Sequence, residues 1–253
     1  MSPTSVYRTF IGLLLSSAAI AKPVVKSEKS RVTYRGTTKN GVEHFQNIIC
    51  AYDTSGSRRF APPESYTPPP DSVVDATAPG KACPQSKDAI PPFFDKTPEI
   101  SEDCLTLRIA RPAGAAAGDR IPVVWVQDNI AEFGGDPTRV TAYGLSVGGT
   151  AIPLQLVSYG GGRSVPFTQI WAMSGPPGTA INITSDATEI YTLAVAEKLG
   201  CEGVGGEEQL SCLRVVPIET LTEAATEYAV ANHPPVGGFT FIPSVDGDFL
   251  PDR

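Results

Sequence analysis

Val140-Thr141-Ala142-Tyr143-Gly144-Leu145-Ser146-Val147-Gly148-Gly149 sets one serine between two glycines, each two places away, at the end of a mostly apolar run. Arg139 to Tyr143 suits a strand and Thr150 to Tyr159 a helix, which makes Gly144 to Gly149 the tight turn between them. A side chain at the top of such a turn is displayed sharply, because the flanking glycines remove the Cβ atoms that would collide there. Ser146 is therefore the strongest candidate for a chemical site. The N-terminus of the following helix favours developing negative charge, and the Val147 backbone N–H is placed to donate to an oxyanion.

Outward from this turn the chain alternates strand and helix. Ile121 to Trp125 reads as a buried parallel strand. Directly behind it, Val126, Ile130 and Phe133 fall at i, i+4 and i+7 on a helix that ends at Gly134-Gly135. No residues connect the two, whereas strand-to-helix loops take roughly 2–6 residues and offer an N-cap. The abutment points to a stretch missing between Trp125 and Val126. Downstream come a strand at Gln169 to Met173 and a helix from Ser185 to Leu199, capped by Ser185 or Asp186 and ended by Gly200. Helices at Glu207 to Leu213 and Pro217 to Ala231 and an apolar strand at Phe239 to Ile242 follow. Upstream, Leu105 to Arg111 is a strand, and residues 53–103 read as irregular coil broken by Pro62-Pro63, Pro68-Pro69-Pro70 and Pro91-Pro92. Val32 to Arg35 and Val42 to Phe45 form a short antiparallel hairpin through Asn40-Gly41. The expectation is an α/β fold with a mainly parallel sheet covered by helices on both faces.

The 253 residues, 41% hydrophobic, suffice for one α/β domain. A net charge of −7 with no cluster of Lys and Arg excludes nucleic acid as a partner. The first residues read as an address: Arg8, the apolar run Ile11 to Leu15, then Ser16 to Ala19 and the small-residue site Ala19-Ile20-Ala21. That order is a signal peptide's, and the run is far shorter than the ~20 residues a membrane-spanning helix needs. Residues 1–21 are thus expected to be cleaved, leaving 22–253 as a secreted domain. The competing reading, a buried N-terminal helix, would be stopped at once by Lys22-Pro23.

Secretion decides how the five cysteines are read, because disulfides persist outside the cytosol. Cys201 and Cys212 flank a Gly-rich stretch and Cys83 and Cys104 a Pro-rich one, and they are paired accordingly, with Cys50 left over. Asn182-Ile183-Thr184 is an N-glycosylation sequon. No metal-ligand cluster, phosphate loop or cofactor fingerprint is legible, so no cofactor is expected.

Motifs spread along the chain resemble the type-B carboxylesterases, which include cholinesterase-like and lipase members of the α/β-hydrolase fold. They are Arg58-Arg59-Phe60-Ala61-Pro62-Pro63, Ser101-Glu102-Asp103-Cys104-Leu105, Asp128-Asn129-Ile130 with Phe133-Gly134-Gly135-Asp136-Pro137, the serine turn, and Pro243-Ser244-Val245-Asp246-Gly247-Asp248-Phe249-Leu250. The wording of the N-terminal segment is most similar to fungal members. The resemblance implies hydrolysis of small-molecule or lipid carboxylic esters through an acyl-enzyme at Ser146. It implies the same two disulfides, and a salt bridge between Arg59 and Glu102. Leu145 stands where cholinesterases often carry an acid, which favours lipase-like or general esterase activity over choline esters.

The departures define a second expectation. Family members carry a Gly-rich oxyanion loop after the strand that resembles Ile121 to Trp125, and an acid and a histidine beyond the Asp-Gly-Asp-Phe-Leu segment. By that measure the hydrolase fold is incomplete here. His44 in the N-terminal hairpin and His233 before Pro234-Pro235 lie elsewhere, and both read as satisfied or solvent-facing. Without a base a serine hydroxyl is a weak nucleophile. A non-catalytic cholinesterase-like interaction scaffold and a defective truncated product therefore stand as alternatives to an active enzyme.

Overall fold

A computed structural model describes residues 22–85, 99–119, 121–123, 129–175, 185–201, 206–232, 240–241 and 243–251. The expected signal peptide, Trp125 and Val126, Asn182 and His233 lie outside the described residues.

The chain opens with β1 (Val24–Lys26), β2 (Thr33–Arg35), β3 (Thr37–Lys39) and β4 (Val42–Ile49). Asn40-Gly41, both with positive φ, turns β3 back onto β4 so that Lys39 faces Val42. The hairpin is thus made by β3 and not by the 32–35 segment. Gly36 explains the break: a Cβ there would lie 2.4 Å from the His44 carbonyl oxygen and 2.9 Å from the Phe45 ring. The chain crosses close over Phe45 and changes sheets, leaving β2 to pair antiparallel with β1 and parallel with β5 (Val73–Asp75). β5 lies within the stretch read as coil; three residues among prolines carry no strand periodicity.

β6 (Thr106–Pro112) pairs antiparallel with β4. β7 (Ile121–Val123), β8 (Gly135–Leu145) and β9 (Gln169–Met173) form a parallel sheet in that order. Where one mainly parallel sheet was expected, the strands among the described residues pair in three three-stranded sheets, the last of them wholly parallel. Between β7 and β8 the apolar stretch forms a 3₁₀ turn at Ile130–Phe133, ended by Gly134 at φ 88°. Four α-helices follow among the described residues: α1 (Val147–Val157), α2 (Ser185–Lys198), α3 (Gly206–Val215) and α4 (Ile218–Asn232). Thr240 and Phe241 bend, so the strand expected at 239–242 does not form there, its end residues being outside the described set.

Among the described residues, three clusters make the core. Val25, Phe45, Ile48, Ala76, Ile130 and Phe133 are buried together, Phe45 meeting Phe133 edge-on at 5.3 Å. Val140 and Ala142 of β8 pack with Ile152 of α1 and Phe167. Ala196, Cys201 and Leu213 join α2 to α3. β8 alternates in burial, so α1 covers one face while Tyr143 (51%), Leu145 (58%) and Trp171 (63%) stay exposed on the other. Among the described residues the parallel sheet is thus packed by α1 on the Val140 and Ala142 face.

Candidate active site

β8 runs straight into α1 at Ser146, whose backbone takes φ 55° and ψ −121°, a conformation costly for any residue with a Cβ. Two backbone bonds hold it there. The Ser146 N–H donates to the Met173 carbonyl at 2.8 Å, and the Ser146 carbonyl accepts the Thr150 N–H at 2.9 Å. The first ties the turn to β9 and the second closes the first turn of α1.

The glycines around it are demanded by packing. At Gly144 a Cβ would lie 2.3 Å from the Gly148 carbonyl carbon and oxygen, and at Gly149 it would lie 2.7 Å from the Met173 oxygen. Gly148 faces open space. The sequence reading began the helix at Thr150, but it starts at Val147, because the turn is tighter than six residues. Ser146 and Val147 are both exposed, and the Ser146 side chain caps nothing. The Val147 N–H belongs to the first turn of α1, where backbone donors lack intrahelical acceptors and are free to meet an anion.

The sequence reading ends β9 at Met173 and gives Ser174 and Gly175 no role. Ser174, at φ 52°, leads into Gly175, which presses against the back of the turn. A Cβ on Gly175 would lie 2.5 Å from the Ser146 carbonyl oxygen and 2.7 Å from the Thr150 nitrogen. A Ser-Gly pair ending a strand was the available signal.

His44 is not brought to Ser146. It sits on β4 opposite Ala110, in a different sheet, with Nδ1 at 3.1 Å from an Arg108 guanidinium nitrogen. Among the described residues no group of three or more His, Cys, Asp or Glu is placed to hold a metal ion, and no helix is long and apolar enough to cross a membrane.

Arg59 and Glu102 meet as a two-pronged pair, both contacts at 2.6 Å, with side chains 9% and 12% exposed. Arg59 also donates to the Leu213 and Val216 carbonyls at 2.9 and 2.6 Å, so one guanidinium closes the C-terminal end of α3. The hydrogen-bonded Glu102 carboxylate raises the pKa of Arg59 above its already high ordinary value. Cys83–Cys104 and Cys201–Cys212 are bonded, with Cα atoms 5.0 and 5.7 Å apart. Cys50 is a free, exposed thiol 3.0 Å from the Leu105 carbonyl.

Comparison with known proteins adds to this geometry. The sequence pattern of the carboxylesterase family matches residues 22–124 and 123–253. A secreted lipase of Arthroderma benhamiae is 31% identical over 94% of this chain and 55% of its own length. An inactive carboxylesterase-like protein of Byssochlamys spectabilis is 29% identical over 91% of this chain and 52% of its own. The chain spans about half the length of these curated relatives. Among solved structures, a thermophilic PNB esterase superposes with a TM-score of 0.72 at 24% identity, over 90% of this chain and 58% of the esterase, which shows a shared fold.

Proposed function

This chain belongs to the carboxylesterase family, and on that premise we propose that it carries the nucleophile-bearing part of a secreted serine hydrolase of carboxylic esters. The observation that carries the reading is the strained, exposed Ser146 between β8 and α1. In this mechanism Oγ attacks the ester carbonyl carbon as its proton passes to a base. The C=O electrons collect on an oxyanion that the Val147 N–H and the α1 N-terminus stabilise. Collapse, with that proton passed on to the leaving oxygen, expels the alcohol and leaves an acyl group on Ser146, which water then removes as the carboxylic acid, restoring the serine hydroxyl.

The wider reading follows the same lines. Residues 1–21 act as a signal peptide and 22–253 as the hydrolase-type domain. Secretion is supported by the similarity to a secreted lipase and by two disulfides. Asn182 carries a glycan. Leu145 stands beside the nucleophile where cholinesterases often carry an acid, which favours lipase-like or general esterase activity over choline esters.

A second reading is favoured by a specific observation: His44, the histidine among the described residues, lies on another sheet from Ser146. A non-catalytic scaffold of carboxylesterase descent would look this way, and one relative is described as inactive. Turnover of a short-chain aryl ester by the purified protein separates the two. Hydrolysis that disappears in Ser146→Ala supports the enzyme; a folded protein whose slow background is the same with and without Ser146 supports the scaffold.

A further inference from the structure

We propose that the recess on the exposed face of β1, β2 and β5 binds a free carboxylic acid, as its carboxylate, through two cations and an apolar wall that holds the acid's alkyl chain. Lys22 and Arg35 supply the charge, and Val24 and Val73 the wall. The inference goes beyond the hydrolytic reading of Ser146 and does not rest on it.

Strand pairing sets these side chains next to one another. Val24 lies opposite Arg35 and Arg35 opposite Asp75, so the three form one row across β1, β2 and β5. Residues directly opposite share a face, and alternation puts Val73, two places before Asp75, on that face as well. The other face holds Val25 and Tyr34, which pack in the core with Phe45 and Phe133. Val24 and Val73 are 53% and 51% exposed, so the apolar part of the row is open to solvent. The Gly36 N–H donates to the Pro23 carbonyl at 2.8 Å, which holds the segment before β1 alongside β2 and brings Lys22 to the recess.

With Thr77 these residues line a volume of about 460 Å³, within the roughly 300–1,000 Å³ of small-molecule sites. Its charges are unevenly satisfied. The Asp75 carboxylate accepts the Thr77 N–H at 3.1 Å, whereas neither Lys22 nor Arg35 forms a side-chain hydrogen bond or salt bridge among the described residues. Hydrogen bonds from Thr77 hold the pKa of Asp75 below the ordinary carboxylate value, and the charges of Lys22 and Arg35 add to this. Both cations thus act on the recess, and two positive charges against one negative leave it net positive. An alkyl carboxylate answers the whole lining. Its oxygens accept charge-assisted bonds from Lys22 and Arg35, and its chain covers Val24 and Val73. A carboxylic acid is the class of molecule that hydrolysis of an ester releases, but its binding here requires no chemistry.

The test titrates the purified protein with octanoate, with no ester present, and follows backbone and methyl resonances by NMR. Saturable shifts are expected at Val24, Arg35, Val73 and Thr77. Arg35→Gln and Lys22→Gln should each weaken binding by about fivefold, the scale of an exposed ion pair. Val73→Thr trades a methyl for a hydroxyl and should weaken octanoate by about threefold while leaving acetate unchanged. Asp75→Asn removes the like charge and keeps an acceptor for Thr77, so it should tighten binding, which a merely structural role for Asp75 would not do. Octanol binding as well as octanoate, or no saturable shift at these residues, overturns the proposal. Weaker binding in Asp75→Asn also overturns it and points to an ammonium-bearing ligand instead. Attachment to phosphatidylcholine vesicles carrying oleate, with no response to free octanoate, would assign the face to a lipid surface and overturn it too. The substituted positions are all exposed, so the variants should fold, and unchanged resonances in β7 to β9 verify that they do. None of these readings involves Ser146.

Discussion

At Ser146 a residue with a Cβ is held at φ 55°, which costs on the order of 1–3 kcal/mol and persists only because neighbours leave no alternative. Those neighbours are glycines, and the two flanking the serine are unequal. Gly144→Ala drives a methyl into the Gly148 carbonyl and is expected to destabilise by about 3 kcal/mol in urea unfolding. Gly148→Ala meets open space and should stay within about 0.5 kcal/mol of the parent. Both positions look alike in the sequence, since the Gly-x-Ser-x-Gly spacing shows that a turn is needed but not which glycine the packing requires. Another single residue organises the last described loop. The Asp246 carboxylate accepts the Asp248 and Leu250 N–H groups at 3.0 and 2.9 Å, which hold its pKa below the usual carboxylate value. A depressed folded pKa means that the loop's support is complete above about pH 4, the unfolded value, and fades only as pH falls through the lower folded one. The Asp248 and Leu250 amide resonances should therefore hold their positions down through pH 4 and move below it, and in Asp246→Asn that movement should vanish.

At the scale of elements, Arg59 binds three segments: its own loop, the loop carrying Glu102, and the end of α3. Removing it strands a nearly buried carboxylate and the carbonyls of Leu213 and Val216 at the end of α3. Arg59→Ala is expected to cost about 3–5 kcal/mol, while the double replacement Arg59→Met with Glu102→Leu should cost clearly less, both read from denaturant midpoints. The family motifs made the pair legible, but its bonds to Leu213 and Val216 cross more than 150 residues and leave no local trace. Elements with strong local signals were legible to within a few residues. β9 spans Gln169–Met173 as read, and α2 ends one residue before Leu199. β5 and the break at Gly36 were not, since a three-residue strand has no period and Gly36 is required by contact with Phe45.

At the scale of the molecule, the strand–helix alternation that suggested a mainly parallel sheet holds, among the described residues, for β7 to β9. The N-terminal strands pair by long-range register, which the local pattern does not encode. Among the described residues the sheets are small, and a disulfide constrains the unfolded chain whatever the sheets contribute. Cys83–Cys104 closes a separation of 21 residues in the proline-rich stretch, and replacing both cysteines with serine should lower stability by about 3 kcal/mol in thermal unfolding. What unites the molecule's chemistry is one claim, that β8, β9 and α1 exist here to display a reactive serine. Its most direct test is the intact mass of the folded, purified protein after exposure to a serine-directed phosphonate, followed by peptide mapping. The expected result is a single adduct on Ser146 that is absent from Ser146→Ala. A folded protein that takes no label, or one that labels equally without Ser146, would contradict it.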